Sequence, residues 1–80
     1  MVKIIDKVKL LEVNEDDLLN EIINESFIGL KKLLKAEISK IDSNGIIIIE
    51  GTPENYDFKI KSEDESSIFT IETIINRLID

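Results

Sequence analysis

Ile38-Ser39-Lys40-Ile41-Asp42-Ser43-Asn44-Gly45-Ile46-Ile47-Ile48-Ile49-Glu50 is the stretch on which the fold turns. Asn-Gly is the strongest two-residue turn signal, because both central residues of a type I′ turn need positive φ. Read that way, residues 38–50 form a hairpin in which Ile41 faces Ile48. The run 46–49 is apolar on both strand faces. That marks a central strand covered on both sides, or an apolar patch on the second face that binds something.

Upstream of this stretch, Asn14-Glu15-Asp16-Asp17 reads as a helix N-terminus. Asn14 is placed to cap, and three carboxylates sit where the positive end of the helix dipole favours them. Leu18, Leu19, Ile22, Ile23, Phe27, Leu30, Leu33 and Leu34 then hold helical spacing, which predicts a helix over about 15–36. Gly29 lies inside it and costs about 1 kcal/mol relative to alanine, so it marks a close packing point or a kink. Residues 2–13 fit a strand, with Val2, Ile4, Val8 and Leu10 on one face, but also fit helical spacing; their density of Val, Ile and Lys favours the strand.

Downstream, Gly51-Thr52-Pro53-Glu54-Asn55 reads as a loop. A one-sided strand follows: Tyr56, Phe58 and Ile60 point one way, Asp57, Lys59 and Lys61 the other. Ser62 and Glu65 have capping-box spacing, with Ser66 an alternative cap, and Ile68, Ile71, Ile75 and Leu78 form the stripe of a last helix. The expected fold is α+β: one small domain over residues 1–80, β-α-β-β-β-α, with a three- to four-stranded antiparallel meander packed by two helices.

The chemistry is bounded by what the 80 residues lack. There is no histidine and no cysteine, which removes the usual general base, the thiolate nucleophile, the disulfide and the common zinc ligands. The three glycines, Gly29, Gly45 and Gly51, are too widely spaced to cradle a phosphate. A domain this small rarely builds a cleft that raises one carboxyl of a pair. The expectation is a non-catalytic protein without metal or cofactor. The longest apolar run, 46–49, is far short of the ~20 residues of a membrane span. The charged first residues do not resemble a signal peptide, and a fold without disulfides suits the cytoplasm.

Net charge is −7, and it is uneven. Residues 1–40 hold 8 acids and 7 bases; residues 41–80 hold 9 acids and 3 bases. No base lies between Asp42 and Phe58. Such a surface repels nucleic acid and anionic membranes and attracts basic surfaces. The candidate partner-binding residues are therefore Asp42, Glu50, Glu54, Asp57, Glu63, Asp64 and Glu65. The clusters Glu15-Asp16-Asp17 and Glu63-Asp64-Glu65 also sit where helix N-termini favour negative charge for purely structural reasons. Asn24-Glu25-Ser26 matches a glycosylation sequon, but falls in mid-helix. Lys31, Lys32 and Lys35 read as a solvated face.

Asp42-Ser43-Asn44, the strand at 46–49, the strand ending Tyr56-Asp57-Phe58 and the segment Glu63-Asp64-Glu65-Ser66-Ser67-Ile68 follow one another in an order that resembles small acidic phage-encoded inhibitors of type II CRISPR nucleases. The resemblance covers about half the chain; the first strand is extra, and only one helix follows the sheet. It implies that surface acids imitate DNA phosphates at the site that reads the DNA flank, with Asp42, Glu63, Asp64 and Glu65 in that role. The expected function is a non-catalytic acidic module that binds a protein with a basic surface, such as a nucleic-acid-mimicking inhibitor, acting as a monomer or homodimer. The alternative is a small assembly protein that self-associates through an apolar strand or helix.

Overall fold

The computed structural model describes residues 1–16 and 18–79. The elements run β1 (Val2–Asp6), α1 (Leu18–Ile38), β2 (Gly45–Thr52), β3 (Asn55–Lys61) and α2 (Glu65–Ile79). The class is α+β. The sheet has 3 strands in the order β1-β2-β3, with β2 central. β2 and β3 are antiparallel, but β1 runs parallel to β2, so the sheet is mixed and not an antiparallel meander.

The expected hairpin across Asn44-Gly45 does not form. Its first strand is absent because Ile38 continues the helical core stripe through Phe27 and Leu34 and is itself buried. The helix end then unwinds through backbone bonds from Ser39 N–H to the Lys35 carbonyl and from Ile41 N–H to the Ile38 carbonyl. No non-glycine residue among those described has positive φ, so Asn44 does not adopt the type I′ geometry. The side of β2 left open takes β1, which arrives parallel because a helix has carried the chain back across the sheet. The actual hairpin lies at the far end, where Thr52 pairs with Asn55 around Pro53 and Glu54. Gly51 enters it at φ 109°, and a Cβ there would lie 2.4 Å from the Asn55 carbonyl oxygen.

Register sorts the apolar run. Ile4, Ile47 and Ile60 stand side by side, as do Asp6, Ile49 and Phe58, on the face both helices cover. Ile47 and Ile49 are fully buried there with Phe27, Leu34, Ile38, Ile71, Ile74 and Ile75. The other face carries the rows Lys3–Ile46–Lys61 and Ile5–Ile48–Lys59. Ile46 is half-buried between two lysines and Ile48 between Ile5 and Lys59, so β2 is central but has helices on one side only.

The ends of the helices also moved. α1 begins at Leu18 rather than 15; Asn14 Oδ1 instead accepts the Asp16 N–H at 3.2 Å, closing the turn before the helix. Asp17, expected in the first turn, lies outside the described residues. α2 is capped by Asp64, not by Ser62 or Ser66: Asp64 Oδ1 accepts the Ser66 N–H at 3.1 Å, and its carbonyl takes the N–H groups of Ser67 and Ile68. Residues 7–14 are not strand. Val8 packs on the core, while Leu10 is exposed. Gly29 is not a packing point inside the chain; a Cβ on it would meet no atom within 4 Å.

Candidate protein-binding surface

The sequence-derived acids fall into three places. Glu63, Asp64 and Glu65 lie at the pole where β2 and α2 begin, beside Lys61, and Asp42 lies at the same end on the β1 side, against Met1, Val2 and Lys35. Two serines and an asparagine tie that pole together. Ser62 Oγ donates to the Asn44 carbonyl at 2.7 Å and accepts the Asp64 N–H at 3.2 Å, while Asn44 N–H donates to the buried Ser67 Oγ at 3.3 Å. Asp64 is spent on its own helix. The hydroxyls of Ser66 and Ser67, with the Ser66 N–H, hold its carboxyl below the usual carboxylate range. Asp42, Glu63 and Glu65 stay exposed and outside any ion pair among the described residues.

Glu54 belongs to a second place, a shallow groove between β3 and α2, which Asp57 borders from β3 while sharing the helix-free face with Glu50. Glu72 of α2 joins Glu54 there, with Tyr56, Phe58 and Ile79 among the apolar walls. No lysine or arginine lines it. The aromatic wall is fixed from below: Tyr56 meets Phe58 edge-on at 5.6 Å between ring centroids and Phe27 at 5.1 Å. β3 is an edge strand, so the groove runs along a sheet margin.

Glu50 lies beside Asp57, its register partner across β2 and β3. It projects from the helix-free face, where Lys59 Nζ lies 3.1 Å and Lys7 Nζ 4.0 Å from its carboxylate. Its charge is met within the chain. The seven acids therefore do not form one continuous negative face. The helix-free face, with Lys3, Lys7, Lys59 and Lys61 around it, is instead the most basic part of the sheet.

Two features escape a reading by halves of the chain. Glu72 reaches the groove only because α2 folds back along β3, and nothing local announces it. The longest base-free interval is not 41–58 but 10–30, with Glu12, Glu15, Asp16, Asp17, Glu21 and Glu25. The lysines at 3, 7, 9, 31, 32, 35 and 40 balance it in a sum over the first half of the chain. In the structure, Glu12, Glu15, Asp16, Glu21 and Glu25 are exposed.

The sequon asparagine is committed elsewhere: Asn24 is buried and its amide bonds the backbone of Leu11. Lys31 pairs with Asp6, so it is not part of a simple solvated face. Burial pushes the Asp6 carboxyl up, but the Lys31 and Val8 hydrogen bonds and the charges of Lys31 and Lys35 outweigh it, and the group titrates below its ordinary value. Among the described residues no group of carboxylates is arranged to hold a metal ion, and no helix is long and apolar enough to cross a membrane. No family model, curated protein or solved structure matches this chain.

Proposed function

We propose that this chain is a non-catalytic module that binds a basic segment of another protein. The observation that carries the reading is the groove between β3 and α2. It holds Glu54 and Glu72, with Asp57 at its border on the other face of β3; no base lines it, and an aromatic wall and a strand margin lie alongside. An extended segment with alternating Lys or Arg and apolar residues fits such a margin: its cations meet the carboxylates and its apolar side chains rest on Tyr56 and Phe58.

The finer form of this reading is an inhibitor of a nucleic-acid-binding protein, such as a CRISPR nuclease, in which carboxylates stand in for DNA phosphates. The pole that holds Glu63, Asp64 and Glu65, with Asp42 at the same end, supports it, because those are the residues the family resemblance assigns to that role. Asp64 keeps its charge to lower pH than an ordinary aspartate, which suits a fixed anionic surface.

Affinity capture on the immobilised chain, at low and high salt, tests both forms. The expected result is a basic protein that elutes as salt rises, because contacts between exposed charges are screened. The triple change Glu54→Gln, Asp57→Asn, Glu72→Gln abolishes capture if the groove is the site; the change Asp42→Asn, Glu63→Gln, Glu65→Gln does so if the pole is. Capture that ignores both salt and both triple changes overturns the proposal.

A further inference from the structure

The solvent side of α1 carries a seam that nothing in the chain covers. Leu19, Ile22, Ser26, Gly29, Leu33 and Ala36 follow one another at alternating intervals of three and four, which places them on one line along a helix. All six are exposed; Leu19 is 64% exposed, Ile22 59% and Leu33 57%. At 3.6 residues per turn the line lies across the helix from Phe27 and Leu34, which face the core. No charge interrupts it. Large side chains stand toward its ends, and the small Ser26 and Gly29 at its middle. A helix-interior glycine is less favourable than alanine. Gly29 has no packing reason inside the chain to offset that, since a Cβ on it would meet no atom within 4 Å.

Charge supplies the orientation of what covers the seam. Along one border Glu21 and Glu25 come first, and Lys32 and Lys35 follow. All four are exposed, and none is in an ion pair among the described residues. A parallel copy of the helix sets like charge against like. An antiparallel copy sets the acidic half of each helix against the basic half of the other.

We propose that a second copy of this chain covers the seam, the two α1 helices lying antiparallel about a twofold axis. The layers are then Ser26 against Gly29 of the partner subunit, Ile22 against Leu33 of the partner subunit, and Leu19 against Ala36 of the partner subunit. Leu19 faces a small layer mate, Ile22 and Leu33 pack on each other, and the two helices approach closely at the centre, where both carry small residues. Glu25 borders Lys32 of the partner subunit, and the twofold repeats the pair. Such an interface is isologous and closes as a dimer without propagating. It uses none of the residues of the β3–α2 groove and stands independently of the basic partner.

The test is sedimentation equilibrium of the full chain from low micromolar to several hundred micromolar, because three layers of one helix make a small, weak interface. The expected result is a monomer–dimer equilibrium that Ile22→Glu or Leu33→Glu abolishes while the far-UV circular dichroism stays native. Glu25→Lys and Lys32→Glu each weaken the dimer several-fold, and the double exchange restores it. The natural chain has no cysteine, so cross-linking reads the direction: a mixture of Ile22→Cys and Leu33→Cys chains gives the mixed disulfide in preference to either like pair. A strict monomer throughout that range, or like-pair cross-links in excess, overturns the proposal.

Discussion

Asn24 clasps Leu11 from both sides of the peptide: its Oδ1 accepts the Leu11 N–H at 2.9 Å and its Nδ2 donates to the Leu11 carbonyl at 2.8 Å. The side-chain amide takes the place that a neighbouring strand would otherwise fill. It fastens the irregular link between β1 and α1 to the second turn of the helix, with Asn20 Nδ2 adding a bond of 3.0 Å to the Glu12 carbonyl. Phe27 meets Tyr56, whose register partner is Gly51 near the hairpin, and the clasp at Asn24 lies one turn before it toward the helix start.

Replacing Asn24 with alanine removes both bonds and leaves the Leu11 peptide without a protein partner. The expected loss is about 2 kcal/mol of stability. Urea denaturation checks it, with an unchanged m-value as the sign that the compactness of the end states is the same. A loss within about 0.5 kcal/mol shows that water replaces the clasp at no cost.

Stability falls on the acid side through Asp6 and Asp64. Both carboxyls titrate below the ordinary aspartate value of 3.8 in the folded chain. Between the folded and unfolded values the unfolded chain holds more protons, so stability there rises with pH. The contribution is complete above the unfolded value and is lost as pH falls through the folded ones. Thermal melts of Asp6→Asn and Asp64→Asn, followed from neutrality to below about pH 3, are expected to lie under the parent at neutral pH and to converge with it in acid. Curves that stay parallel throughout remove the two groups from the acid transition.

Gly29 and Gly51 respond oppositely to the same methyl group. At Gly29 a Cβ enters open space, so Gly29→Ala is expected to stabilise the monomer by about 1 kcal/mol. At Gly51 it lies 2.4 Å from the Asn55 carbonyl oxygen on a backbone with φ 109°, so Gly51→Ala is expected to cost about 2 kcal/mol or more. Chemical denaturation of both, at a concentration where the chain is monomeric, gives the two signs directly.

Neighbours in the isoleucine run differ as sharply. Ile47 is 0% exposed among the helices, whereas Ile46 is half-buried between Lys3 and Lys61. Ile47→Ala is expected to cost about 3 kcal/mol and Ile46→Ala about 1 kcal/mol or less. Equal costs indicate that something covers the lysine-bordered face in solution.

The candidate site was legible in part. Glu63, Asp64 and Glu65 adjoin because a helix start meets the beginning of β2, and Asp42 lies at the same end on the β1 side. Glu50 carries the same charge in the same half of the chain, yet Lys7 and Lys59 meet it across the strands. Charge content is written in the sequence; which cation lies opposite is a matter of register. The eight apolar positions of the first helix posed a similar problem. They span more of the helix than one core can cover, and only packing separates Phe27 and Leu34 from Leu19, Ile22 and Leu33.

By itself the sequence determined what depends on neighbours along the chain: an α+β class, two amphipathic helices, a one-sided strand at Tyr56, Phe58 and Ile60, and the absence of histidine and cysteine chemistry. The tertiary structure alone decided what depends on distant residues. Locally, Asn44-Gly45 favours a hairpin by turn geometry. Ile38 gains more by burial in the helix stripe, and once it is there the open edge of β2 pairs with β1. That pairing, parallel and some 40 residues apart along the chain, sets which face each isoleucine takes and which carboxylates meet a lysine. Propensity acts between adjacent residues, whereas burial and register are settled only when the whole chain competes for one core.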